Sequence, residues 1–163
     1  MFDTITGIPL HPLVVHGVVV LLPLTVLGTL AIALRPAWRR TYGPLVVGIG
    51  VVATALVPVA TQSGKKFEKT LQLDVGKHQQ LGDQLIWFAL PLLALLIALV
   101  VLDRREAAPA SESGSSTPST AIKVVAALAI VASLATAYQV FRVGDSGARK
   151  VWCGGVYDCK PVQ

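Results

Sequence analysis

The side chains in this sequence best suited to chemistry near neutral pH are its histidines. An imidazole changes charge close to pH 7, and its neutral nitrogens ligate metals. The chain holds three, His11, His16 and His78. The first two fall in Leu10-His11-Pro12-Leu13-Val14-Val15-His16, at the head of an uncharged run that continues to Leu34, and His78 stands just before another such run. Asp83 and Gln84 follow His78 by one to two turns, Gln139 closes the last apolar run, and Asp145 comes soon after it.

Imidazoles from two facing helices can ligate a haem iron axially or hold a transition metal. His16 lies more than a turn inside the first run, and ionisable residues within spanning helices tend to face the bundle interior. The expected ligand pair is therefore His16 with His78, around haem b or another metal, for electron transfer or redox sensing. His11 and His16 make a poorer pair, because five residues place them about 140° apart on a helix. A broader metal site would use His11, His16 and His78 together. Gly17 and Gly82 would leave room for a flat ring, and Asp83 or Asp145 could orient an imidazole as outer carboxylates do. Asp83 could equally be solvated or paired with Lys77.

A competing reading gives the histidines no ligand. His16 then bonds a neighbouring backbone group, His11 and His78 sit in the wet interface, and the protein is a non-enzymatic scaffold or accessory subunit. A proton pathway would need polar groups through the full bilayer depth, and the middles of the runs offer only Thr25, Thr54, Ser133 and Thr136. The sequence contains no Cys-x-x-Cys-His, His-Glu-x-x-His, P-loop or dinucleotide fingerprint. No residue is assigned a catalytic role.

The elements that must position these residues are set by composition. Hydrophobic residues make up 53% of the 163 positions, charged residues 14%, and the mean hydropathy is +0.66. Soluble domains carry about 25% charged residues, so this surface faces lipid. The net charge of +5 comes from short basic clusters between apolar runs, with no basic face for nucleic acid. About 20 residues of helix cross a bilayer core, and four runs meet that length: about 12–34, 42–61, 81–102 and 121–141. The expectation is one all-α membrane domain, an integral four-helix bundle. Positions 62–77 form a charged connector in which Phe67 and Leu71 suggest a short interfacial helix. Positions 103–120 read as a flexible Ser/Pro-rich linker and 142–163 as a turn-rich tail outside the membrane. Glycines and alanines in the second and fourth spans suit close packing, within the bundle or between copies in a homo-oligomer or membrane complex.

Four spans put both termini and the histidines at one membrane edge. Basic residues flank both sides almost equally, so orientation rests on two weaker signals. The first helix has no basic residue before it and Arg35, Arg39 and Arg40 after it. Cys153 and Cys159 could close a small disulfide staple, which needs an oxidising compartment. Both favour an inner-membrane protein with extracytoplasmic termini. A redox-switch role for the cysteines fits less well, since their spacing is not that of thioredoxin-type sites.

The opening Gly7-Ile8-Pro9-Leu10-His11-Pro12-Leu13-Val14-Val15-His16 resembles that of a family of predicted bacterial four-span membrane proteins classed as a domain of unknown function. His78 before the third span and Gly144-Asp145-Ser146-Gly147-Ala148 after the fourth are similar to its later motifs. The resemblance covers nearly the whole chain. It implies a four-span fold and a membrane location but no established activity. It also implies a histidine at the place where this chain has Asp145. That departure weakens a multi-histidine metal site here and leaves a pair of histidines untouched.

Overall fold

The computed structural model describes residues 4–5, 8–71, 76–106 and 119–153. Two short strands, β1 (Thr4–Ile5) and β2 (Ile8–Pro9), pair antiparallel ahead of the first helix. Then come α1 (Leu10–Leu34), a 3-10 turn (Pro36–Trp38), α2 (Arg39–Leu71), α3 (Gly76–Gln84), α4 (Ile86–Glu106) and α5 (Thr120–Trp152). Helix is what an apolar segment must form in lipid, where each backbone N–H and C=O needs a partner from its own segment. Four helical stretches are long and apolar enough to cross a membrane, with α3 and α4 together making the third. The fold is an all-α four-helix bundle.

α1 packs along α2 and α5, and α4 packs along α5 and α2, while α1 and α4 scarcely meet. Two apolar cores result. One gathers Val18, Leu22, Ala53, Val57, Ala60, Leu85 and Ala89 near the histidines. The other gathers Ile32, Ala33, Val46, Leu96, Leu99, Val100, Ile122 and Ala126 toward the far edge. The hydroxyl residues Thr25, Thr29, Ser133 and Thr136 are also buried. Thr25, Thr29 and Thr136 return their protons to carbonyls four residues back in their own helices. Large apolar side chains such as Val20, Leu27, Leu45 and Val131 point outward, as lipid-facing positions should.

At the far edge Arg39 is buried and spends its guanidinium on the end of α1. Its Nε donates to the Ile32 carbonyl at 2.9 Å and its Nη2 to the Ala33 carbonyl at 3.0 Å. These are two of the carbonyls that a helix C-terminus leaves without partners. Asp103 lies 3.6 Å away and balances the charge.

Two expectations about the ends of helices are corrected. The connector does not form a separate interfacial helix up to Leu71, because α2 continues unbroken to that residue. Gly144-Asp145-Ser146-Gly147 is not a turn, because α5 runs through it to Trp152. Gly64 in α2 and Gly147 in α5 are instead used for close packing against an imidazole. Most of the proposed linker and the end of the tail lie outside the described residues.

Candidate functional site

The helix of the third span is interrupted at Leu85, between α3 and α4. Leu85 N–H bonds to the Gly82 carbonyl at 3.1 Å, one residue nearer than a regular α-helix requires. The Leu81 carbonyl is thereby freed, and buried Gln139 of α5 donates to it through Nε2 at 2.9 Å. This bond ties α5 to α3. Lys65 of α2 reaches Asp83 of α3 at 2.9 Å on the half-exposed rim. The start of α1, the end of α2, α3 and the end of α5 thus converge at one edge of the bundle.

His11 sits on the first turn of α1 and faces the end of α2. Its Nδ1 is 3.0 Å from the Ala60 carbonyl and 3.3 Å from Ser63 Oγ. Its ring stacks on Phe67, with centroids 5.9 Å apart. It also lies over Gly64, where an added Cβ would stand 2.9 Å from Cε1. His78, on α3, is held the same way by α5. Its Nδ1 is 3.1 Å from the Val143 carbonyl and 3.1 Å from Ser146 Oγ, and its ring lies over Gly147.

These contacts settle the tautomer. The carbonyls can only accept. Each serine already donates its hydroxyl proton to the same carbonyl, Ser63 to Ala60 at 3.0 Å and Ser146 to Val143 at 2.8 Å. The serine oxygen therefore also presents a lone pair to the ring. Nδ1 must carry the hydrogen, and in the neutral imidazole Nε2 is left as the base. Among the described residues neither Nε2 has a hydrogen-bond partner. The two rings lie within electrostatic range of each other. A backbone carbonyl on one nitrogen, with the other free, is the arrangement of metal-ligating histidines.

His16 does not join them. It is exposed, and its Nδ1–H donates to the Pro12 carbonyl of its own helix. The reason is the rotation of about 140° between positions five apart: once His11 faces α2, His16 faces outward. The expectation that His16 is buried is corrected: His16 is exposed, and it is His11 and His78 that are held part-buried against a neighbouring helix. Nor is a three-histidine metal site assembled, for among the described residues no three metal-ligating side chains come together. Gly17 offers no space for a flat ring, since Leu56 Cδ1 lies 3.0 Å from its Cβ position; at Gly82 the nearest atom is 4.0 Å away.

The carboxylates are elsewhere too. Asp83 pairs with Lys65 and not with Lys77 or a histidine, and Asp145 accepts both its bonds from Arg149 one turn along α5, at 2.9 and 3.0 Å. Neither orients an imidazole. That role belongs to Ser63 and Ser146, which the sequence reading missed. The available signal was a Ser-Gly pair followed by a basic residue near the end of each long helix, Ser63-Gly64-Lys65 and Ser146-Gly147-Ala148-Arg149. Cys153 carries a disulfide in place of a free thiol. Cys159 lies outside the described residues.

Residues 7–160 match the family model described as predicted membrane protein (DUF2231). The chain belongs to this family. No curated protein and no solved structure matches it. Membership agrees with the four membrane-length helices and carries the unknown activity of the family with it. Among the described residues of this DUF2231 protein, the Nε2 atoms of His11 and His78 are imidazole nitrogens without a hydrogen-bond partner at one edge of the bundle.

Proposed function

We propose that this protein binds a non-covalent haem through His11 and His78 and uses it for electron transfer or redox sensing at the extracytoplasmic edge of the inner membrane. The observation that carries the reading is the fixed tautomer: two imidazoles at one edge, each with Nδ1–H given to a carbonyl and serine and each with Nε2 free. Haem is favoured over a bare ion by donor count. A structural or catalytic zinc takes three or four protein ligands, whereas haem supplies its own in-plane nitrogens and asks the protein only for axial ones. Two histidines without a third ligand grouped with them among the described residues suit the second case. The disulfide at the end of α5 supports an oxidising compartment on this side.

A second reading is supported by the same bonds. Each Nδ1 contact joins one helix to the next, α1 to α2 and α3 to α5, so the histidines could serve as clasps in a membrane scaffold or accessory subunit. An absorption spectrum of the purified protein, oxidised and then dithionite-reduced, separates the two. A Soret band that shifts on reduction supports haem. A spectrum without one, from cells supplied with haem, leaves the clasp.

A further inference from the structure

The two histidine sites are alike in their hydrogen bonds and in the glycine each ring covers, and differ in the Phe67 ring that stacks on His11 alone among the described residues. His11 and His78 each use Nδ1, each bond a carbonyl three residues before a serine and the serine itself, and each cover the glycine that follows. The clearances also agree. A Cβ on Gly64 would lie 2.9, 3.2 and 3.6 Å from Cε1, Nδ1 and Nε2 of His11, and one on Gly147 would lie 3.0, 3.2 and 3.7 Å from the same atoms of His78.

The likeness extends along the helices. The constant shift that carries His11 onto His78 also carries buried Val18, Leu22, Thr25, Thr29, Ile32 and Ala33 onto buried Leu85, Ala89, Leu92, Leu96, Leu99 and Val100. The shift that carries Ser63 onto Ser146 carries Arg39, Val46 and Ala53 onto Ile122, Ala129 and Thr136, all buried. Helices of any bundle share a repeating buried stripe. Such a stripe does not by itself bring a histidine, a carbonyl, a serine and a glycine into the same register at its end. The packing follows the same rule, since α1 against α5 mirrors α4 against α2. α1 and α4 both begin at the histidine edge, so the relating axis runs along the membrane normal, as in parallel transporter repeats.

We infer that the chain is two copies of one His–Ser–Gly helical hairpin about a pseudo-twofold axis, and that His11 and His78 are one ligand position used twice, bracketing a single ligand between the halves. The ligand part rests on the haem reading; the repeat does not.

The repeat makes a prediction at a place where the halves differ. Lys65 and Asp83 form an ion pair between α2 and α3. Under the two shifts their counterparts are Ala148 on α5 and His16 on α1, both exposed and neither part of the proposed ligand pair. The double variant H16D/A148K should therefore create a second, symmetry-related ion pair. The test is zero-length carbodiimide cross-linking of the full-length double variant in detergent, read by peptide mass spectrometry, with the Lys65–Asp83 link as internal standard. The expected result is a new link between positions 16 and 148 beside the standard. The standard without the new link overturns the repeat, and a digest with neither contradicts the contact between α2 and α3 that the repeat carries onto α5 and α1.

The ligand part is read separately in His11→Ala and His78→Ala. Equal loss of the Soret band in both is expected. Loss in one alone overturns equivalence while leaving haem binding in place, and a wild-type protein without haem defeats the haem reading while the cross-link still tests the repeat.

Discussion

Replacing Gly147 by alanine should reverse the effect that this exchange normally has in a helix. Alanine is favoured over glycine in a helix interior by about 0.5–1 kcal/mol, because glycine loses more backbone freedom on folding. At Gly147 the new Cβ would stand 3.0 Å from Cε1 and 3.2 Å from Nδ1 of His78. Comfortable carbon contacts are about 3.5–4.0 Å, so the ring must retreat by roughly half an ångström. It has little freedom to do so, since Nδ1 is held 3.1 Å from both Val143 O and Ser146 Oγ. Retreat pushes those bonds to the limit of useful length, at a cost of about 0.5–1.5 kcal/mol. Forcing a methyl into a packed contact adds about 1–3 kcal/mol. After the helix gain is subtracted, Gly147→Ala should destabilise by about 0.5–4 kcal/mol. Gly144 is the control: it lies in the same helix, and nothing stands within 4 Å of its Cβ position. Thermal unfolding in detergent should place Gly147→Ala below wild type and Gly144→Ala at or above it. If Gly147→Ala melts at or above Gly144→Ala, the ring is not held over that glycine and the site geometry is wrong.

Three further outcomes follow from particular bonds. Gln139→Leu leaves the Leu81 carbonyl unpaired inside the bundle, so it should cost about 1–3 kcal/mol and loosen α3, seen as faster amide exchange there in micelles. Arg39→Lys keeps the charge but cannot reach both α1 carbonyls as the guanidinium fork does. Loss of one charge-assisted bond, about 1.5–3 kcal/mol, should lower the melting temperature, and Arg39→Met should lower it further by leaving Asp103 without its buried partner. Phe67→Ala removes the ring stacked on His11; it should broaden or shift the His11 imidazole resonances while leaving those of His78 in place.

The fold was legible because a bilayer imposes length and polarity on whole segments. Uncharged runs of sufficient length, punctuated by Arg35-Pro36 and Asp103-Arg104-Arg105, are enough to mark the spans. The rotation of each helix was not legible. In a soluble helix the apolar stripe marks the inner face, but α1 is apolar all round, with Val18 and Leu22 buried and Val20 and Leu27 facing out. Depth in the membrane then pointed to His16, although the phase of the buried stripe selects His11. The glycines of the two Ser-Gly pairs misled for a related reason. Glycine near a span's end ordinarily signals a stop, whereas Gly64 and Gly147 continue their helices because an imidazole occupies the place of a side chain. The internal repeat was hidden because lipid-exposed and core positions can be filled by any apolar residue. Equivalent positions such as Leu22 and Ala89 share burial without sharing identity.

The central claim is that His11 and His78, and not His16, are the paired bases of this site. The most direct measurement is the oxidised and dithionite-reduced absorption spectrum of the detergent-purified protein from haem-supplemented cells, beside His11→Ala, His78→Ala and His16→Ala. A Soret band that shifts on reduction, persists in His16→Ala and is lost in the other two is the predicted result. A band lost in His16→Ala and kept in His11→Ala, or no band in the wild-type protein, would contradict it.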